Sequence, residues 1–196
     1  VVAAVTGSLA LLADAGHMLG DSVGLAMALA AMTIAQRGGG PGSRRSFGNH
    51  RTEVLAAGLN GLFLLVLAGV VAWHAVGRLG DEVELAATPI LVAGALGLVA
   101  NVIGLLLLRA GSTQSLNVRG AYLEVLGDAF GSMAVLVSAG VIALTGWTPA
   151  DAVASLVIAA LIVPRAVSLL RDVGEVLLES TPRDVDLAEL RAHIIG

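Results

Sequence analysis

Charge is missing from this chain over helix-length stretches: Ser22–Gln36, Val54–Gly77, Leu85–Leu108 and Ala129–Ala150 contain no Asp, Glu, Lys or Arg. Crossing about 30 Å of hydrocarbon takes roughly 20 residues of helix, so several of these windows suffice alone. The others reach full length by including one charged residue. With 57% hydrophobic residues, 13% charged residues and a mean hydropathy of +0.90, the 196 residues cannot hide their apolar surface inside one soluble core. The apolar runs are continuous instead of alternating, which argues against a transmembrane β-barrel. The 25 glycines and 3% aromatics suit helices that pack through small residues.

The breakers divide the chain into an all-α membrane bundle over residues 1–180 and the opening of a second domain over residues 181–196. Val1–Val5 is too short to cross a bilayer, and Thr6-Gly7-Ser8 reads as a turn. The expectation is a six-helix transmembrane bundle with its first helix largely missing. The second helix runs from about Ser8 to Gln36 and stops at Arg37-Gly38-Gly39-Gly40-Pro41-Gly42. The third covers about His50–Leu79. The fourth starts near Thr88-Pro89, with Thr88 as the capping residue and Pro89 at the first helical position, and fades near Gly111. The fifth occupies about Asn117–Thr145, and Thr148-Pro149 opens the sixth, which ends near Ser180. Beyond Thr181-Pro182 the chain turns polar, as an amphipathic helix with Asp186 and Glu189 at capping-box spacing. This reads as the start of a truncated C-terminal domain.

Arginine placement sets the orientation, because the chain has no lysine. Arg37, Arg44, Arg45 and Arg51 lie between the second and third helices, and Arg109 and Arg119 flank the loop between the fourth and fifth. Arg165, Arg171, Arg183 and Arg191 sit late in the last helix or after it. The opposite loops hold Arg78 with Asp81, Glu82 and Glu84, and no basic residue near Trp147. By the positive-inside rule the arginine side and the C-terminus are cytoplasmic, in a multi-pass protein of the inner or plasma membrane. A net charge of −4 argues against nucleic acid as a partner. Without cysteine there is no disulfide and no thiolate metal site, and no cleavable signal peptide is visible.

Inside these apolar segments stand ionisable pairs that echo each other. His17-Met18-Leu19-Gly20-Asp21 and Glu124-Val125-Leu126-Gly127-Asp128 each place metal-ligand residues four apart, 107 positions from one another, and a glycine follows in each (Gly24, Gly131). On a helix that spacing stacks both side chains on one face, one turn apart. Two such pairs make a four-ligand site. A charged group at a membrane-helix centre costs roughly 2.5–3.5 kcal/mol, so Asp21, Glu124 and Asp128 demand compensation. They are either structural glue, paired with one another and with helix hydroxyls, or ligands to a cation. The recurrence of the same Leu-Gly-Asp core favours ligands, since imidazole nitrogen with carboxylate oxygens is a divalent transition-metal set.

Three further segments carry a resemblance: Gly7 through His17, Phe47 through Ala57, and Leu116-Asn117-Val118-Arg119-Gly120-Ala121-Tyr122. The chain resembles cation diffusion facilitators of the zinc-transporter type over nearly its whole length. The resemblance implies a six-helix membrane domain, a homodimer, and export of zinc or a similar divalent ion from the cytoplasm in exchange for protons. It also implies that His17, Asp21, Glu124 and Asp128 are the transport ligands, with the metal as cargo and no resident cofactor. The family pattern has His where this chain has Glu124. A more anionic, oxygen-rich site suits harder ions such as manganese and iron(II), and these, with cobalt and cadmium, are the alternatives to zinc.

Other polar residues rank lower. Asp14, one turn before His17, would either guide ions or protons or make a structural bond. Asn60 and Asn101 are expected to hydrogen-bond between helices, and Asp151 to serve the N-terminal dipole of its own helix. His50, with only Glu53 near it, and His74 and His193 read as surface or interfacial residues. An intramembrane metallohydrolase would need a separate general base, and no His-Glu-x-x-His sequence is present. A metal-free membrane scaffold is the remaining competitor.

Overall fold

Where the chain must turn sharply, glycine supplies the conformation. Gly7 adopts φ +68°, which ends a short helix α1 (Val2–Thr6) and lets a second, α2 (Leu9–Arg37), leave in a new direction. Four more helices follow: α3 (His50–Arg78), α4 (Ala87–Arg109), α5 (Leu116–Thr145) and α6 (Pro149–Leu177). The computed structural model describes residues 2–37, 50–80, 85–113 and 115–179. The expected domain over residues 181–196, the breaker at 38–42, the acidic residues at 81–84 and His193 lie outside the described residues.

The segments Val54–Arg78, Ala87–Arg109, Val118–Thr145 and Pro149–Leu177 are each long and apolar enough to cross a membrane. At 1.5 Å per residue even α4, with 23 residues, reaches about 35 Å. α2 has 29 residues and carries Asp14, His17 and Asp21 along its length. Large apolar side chains such as Leu59, Val66, Trp73, Leu107 and Leu144 point outward, as a lipid-facing surface requires. α3 and α6, and α4 and α5, run antiparallel: Gly58 and Gly61 of α3 lie against Val173 and Leu170 of α6, and Gly94 and Gly104 of α4 against Val135 and Val125 of α5. The core joins Leu64, Ala68 and Val71 of α3 to Ile158, Ile162 and Ala166 of α6, with Ala10 and Ala13 of α2 and Val135 and Ala139 of α5.

Of the sequence expectations about helix starts, one needs correction and one needs extension. α4 begins at Ala87 with Ala86 as its N-cap and no side-chain capping bond, so Thr88 is not the cap and Pro89 is the third helical residue. That position tolerates proline because the first-turn N–H groups have no intrahelical acceptor to lose. α6 does start with Pro149 after Thr148, and Asp151 stands in its first turn as expected, but its carboxylate reaches a second helix as well. Its carboxylate, 2% exposed, accepts hydrogen bonds from the Ser8 hydroxyl at 2.5 Å, the Leu9 N–H at 2.7 Å and the Ala10 N–H at 3.4 Å. Ser8 already uses its oxygen to accept from Leu11 N–H at 3.1 Å. The two remaining donors at the start of α2 therefore need an acceptor from elsewhere in an apolar setting, and α6 provides it. Arg78, at the end of α3, completes this end of the bundle by donating to the Gly7 carbonyl at 2.6 Å.

A hydrogen bond to a charged group contributes about 1.5–3 kcal/mol, and loss of the acceptor strands buried donors. Asp151→Ala is therefore expected to lower the thermal midpoint of the full-length protein in detergent, followed by intrinsic fluorescence, more than Asp151→Asn does. Equal midpoints for wild type and the alanine variant would contradict this role.

Candidate metal centre

The aim of the site begins with a stripe of glycines on α2. A Cβ added at Gly16, Gly20 or Gly24 would lie 2.9 Å from Leu67 Cδ2, 2.9 Å from Leu64 Cδ2 and 2.7 Å from Asn60 Nδ2 respectively. α3 thus closes on α2 to a distance that only hydrogen side chains allow. His17 and Asp21 each follow one of these glycines, about 100° further round the helix. Pressing the stripe against α3 turns both side chains toward α5 and α6.

There they meet Asp128 of α5. His17, 6% exposed, places Nε2 3.1 Å from Asp128 Oδ1 and 3.6 Å from Asp21 Oδ2. One ligand atom from each of the three residues lies within 4.8 Å of the others. A tetrahedral ion with bonds of about 2.0–2.2 Å holds its ligands roughly 3.3–3.6 Å apart, so this cluster needs only a small inward closure. His17 Nδ1 is buried with no hydrogen-bond partner among the described residues, leaving Nε2 as the atom that engages the site.

Glu124 stands apart from this trio. Its side chain is 43% exposed and forms an ion pair with Arg165 of α6. The sequence reading grouped Arg165 with the arginines flanking the membrane; the structure corrects this. Arg165 sits well inside α6, directly after Pro164 and twelve residues before the helix ends, and its guanidinium enters the cluster. Nη1 lies 3.0 Å from His17 Nε2 and 3.6 Å from Asp128 Oδ1, and Nη2 lies 3.2 Å from Asp21 Oδ2. Arg165 therefore touches all four residues expected to be ligands. The sequence held one signal for it: uncompensated acids in an apolar bundle call for a cation, and Arg165 is the arginine that stands deepest within a spanning helix.

Asp14 extends the polar line along α2. It is buried and accepts from the Ser132 hydroxyl at 3.3 Å, which in turn accepts from Asn101 Nδ2 at 3.2 Å. Asn101 thus makes the interhelical bond expected of it. Asn60 instead packs its amide against Gly24, and His74 is exposed on α3.

Two cavities adjoin the cluster. One of about 200 Å³ is lined by Asp14, His17 and Asp128. The other, about 680 Å³, is lined by Asp21, Asn60 and Asp172, toward the end of the bundle where α3 begins and α6 ends. Glu124 and Arg165 line both.

The chain matches the family model for the cation efflux transmembrane domain over residues 1–178. It is 43% identical over 192 residues to the metal cation efflux system protein CzcD of Cupriavidus metallidurans, covering 98% of this chain and 60% of that relative. It is 40% identical over 191 residues to the zinc transporter ZitB of Escherichia coli, covering 97% and 60%. A cadmium, cobalt and zinc/H(+)-K(+) antiporter of Bacillus subtilis is 36% identical over 194 residues, covering 98% and 62%. The chain therefore spans about 60% of the length of such relatives. With the family model covering residues 1–178 and these relatives nearly the whole chain, the chain belongs to the cation efflux family, the cation diffusion facilitators that its sequence resembles.

Proposed function

We propose that this chain is the membrane-spanning part of a divalent metal exporter, with zinc as its first cargo and protons carried in exchange. The observation that carries this reading is the approach of His17, Asp21 and Asp128 to within 4.8 Å, in the middle of apolar helices, from elements 111 residues apart in sequence. Glu124 is the fourth ligand in the proposal, supported by its place one turn before Asp128 on α5. Relatives named as zinc transporters and as a cadmium, cobalt and zinc antiporter support the cargo class.

Imidazole and carboxylate must shed protons before they bind a metal, so loading releases protons and reprotonation expels the ion. Placed between helices of an antiparallel bundle, one site serves both sides by alternating access. Arg109, Arg119 and Arg171 gather near the same end as the starts of α3 and α5, which supports a cytoplasmic assignment for that end and for the C-terminus. The exporter works as a homodimer and catalyses no covalent reaction in this reading.

In proteoliposomes holding the full-length protein, Asp128→Ala is expected to abolish metal-dependent proton flux; flux equal to wild type would remove Asp128 from the site. Replacing Glu124 by His should shift the order of titrated affinities between zinc and manganese toward zinc, since nitrogen donors favour it over harder ions. An unchanged order would show that Glu124 does not set selectivity.

A further inference from the structure

We propose that Arg165 is a tethered competitor for the cargo: its guanidinium occupies the ligand atoms of His17, Asp21 and Asp128 until a divalent ion displaces it. The inference rests on the reading of that cluster as the transport site.

The atoms are the same ones. Arg165 reaches His17 Nε2, Asp21 Oδ2 and Asp128 Oδ1, the positions through which the trio approaches itself. Nε2 carries a single in-plane position, either a lone pair or a proton. A guanidinium can only donate, so at 3.0 Å it is matched to Nε2 when that position is a lone pair, whereas the Asp128 carboxylate at 3.1 Å is matched to it when it holds a proton. A metal bound at about 2.0–2.1 Å needs the same lone pair, and a cation would then face another cation at close range. The two occupants exclude each other.

Arginine suits such a part because it stays charged in every protein environment and presents several donors in one plane. With three carboxylates and one guanidinium, the cluster carries a formal charge of −2, which one dication balances. Between transport events the guanidinium compensates acids whose exposure to an apolar interior is costly.

A route out is also present. The pair of Arg165 and Glu124 forms a wall common to both cavities, and the larger one offers Asp172 two turns further along α6. A guanidinium leaving the trio and yielding Glu124 to the metal would move into that space and alter the partition between the cavities. Entry of the metal and rearrangement of this wall become one event. The site then exchanges one cation for another and is not left bare.

Titration of the purified full-length protein with zinc and cadmium tests this in wild type, Arg165→Ala and Arg165→Lys, each with and without Asp128→Asn. A competitor that holds the site for all but a tenth of the time weakens apparent affinity by about tenfold, so Arg165→Ala should bind metal at least about tenfold more tightly than wild type. Guanidinium chloride at low millimolar concentration should then weaken metal binding to Arg165→Ala and leave wild type unaffected, with sodium chloride of equal ionic strength as the control.

Affinity that fails to rise in Arg165→Ala overturns the proposal. So does a rise that guanidinium does not reverse, because removal of charge alone would produce it. If the alanine variant is not monodisperse, Arg165→Lys decides: its point charge cannot span the trio, and binding tighter than wild type supports competition, while equal or weaker binding overturns it. Metal binding that ignores Asp128→Asn in every background would instead sink the site assignment itself, and the competitor with it.

Discussion

The cost of burying charge in an apolar bundle governs this structure. Asp21, Glu124 and Asp128 stand on helices otherwise suited to lipid, and each would be expelled from such a setting without a partner. Their partners are an imidazole on α2 and a guanidinium on α6. Because the acids of α5 find their imidazole and guanidinium on other helices, the packing of α2, α5 and α6 and the assembly of the polar cluster are the same act. Lipid association supplies little apolar driving force between helices, so close packing and such polar contacts hold the bundle.

Close packing in turn depends on what is missing from α2. Glycines at 16, 20 and 24 open a flat strip against which Leu67, Leu64 and Asn60 of α3 settle. The strip and the ligand pair share one helix turn-repeat, each ligand one residue behind a glycine. Backbone contact on one face thereby fixes the aim of the side chains on the next. The same economy recurs at Gly131, where a Cβ would sit 3.0 Å from Asp14 Oδ1.

Much of this was legible in the sequence. Charge-free windows located the long helices, and the repeated four-residue spacing singled out His17, Asp21, Glu124 and Asp128, because a helix converts that spacing directly into a shared face; the structure brings three of them together and sets Glu124 against Arg165. Three features were not legible, each for a reason of distance. Arg165 lies nearer the charged end of α6 than the apolar start, so a count along the chain assigned it to the membrane flank; only the packing of α6 against α2 turns it inward. Asp151 sits in the first turn of its helix, where the local rule points to its own dipole, yet the unsatisfied donors it serves are 142 residues away at Leu9. Gly16, Gly20 and Gly24 recur every four residues, but nothing in the chain says which helix covers that strip. Local periodicity is written in neighbours; the choice among partners is made by the fold.

The bond between Asp151 and the start of α2 has a mechanical meaning. Two walls of the polar cluster are fastened together at one extremity, like the legs of a divider at its pin. Arg165 lies fourteen residues from that fastening, about 21 Å along α6. A tilt of about 5° about the pin would carry it nearly 2 Å sideways, at the 1.5 Å rise of a helix, while the sealed extremity hardly shifts. Leverage of this kind lets a slight reorientation widen one mouth of the bundle without loosening the other.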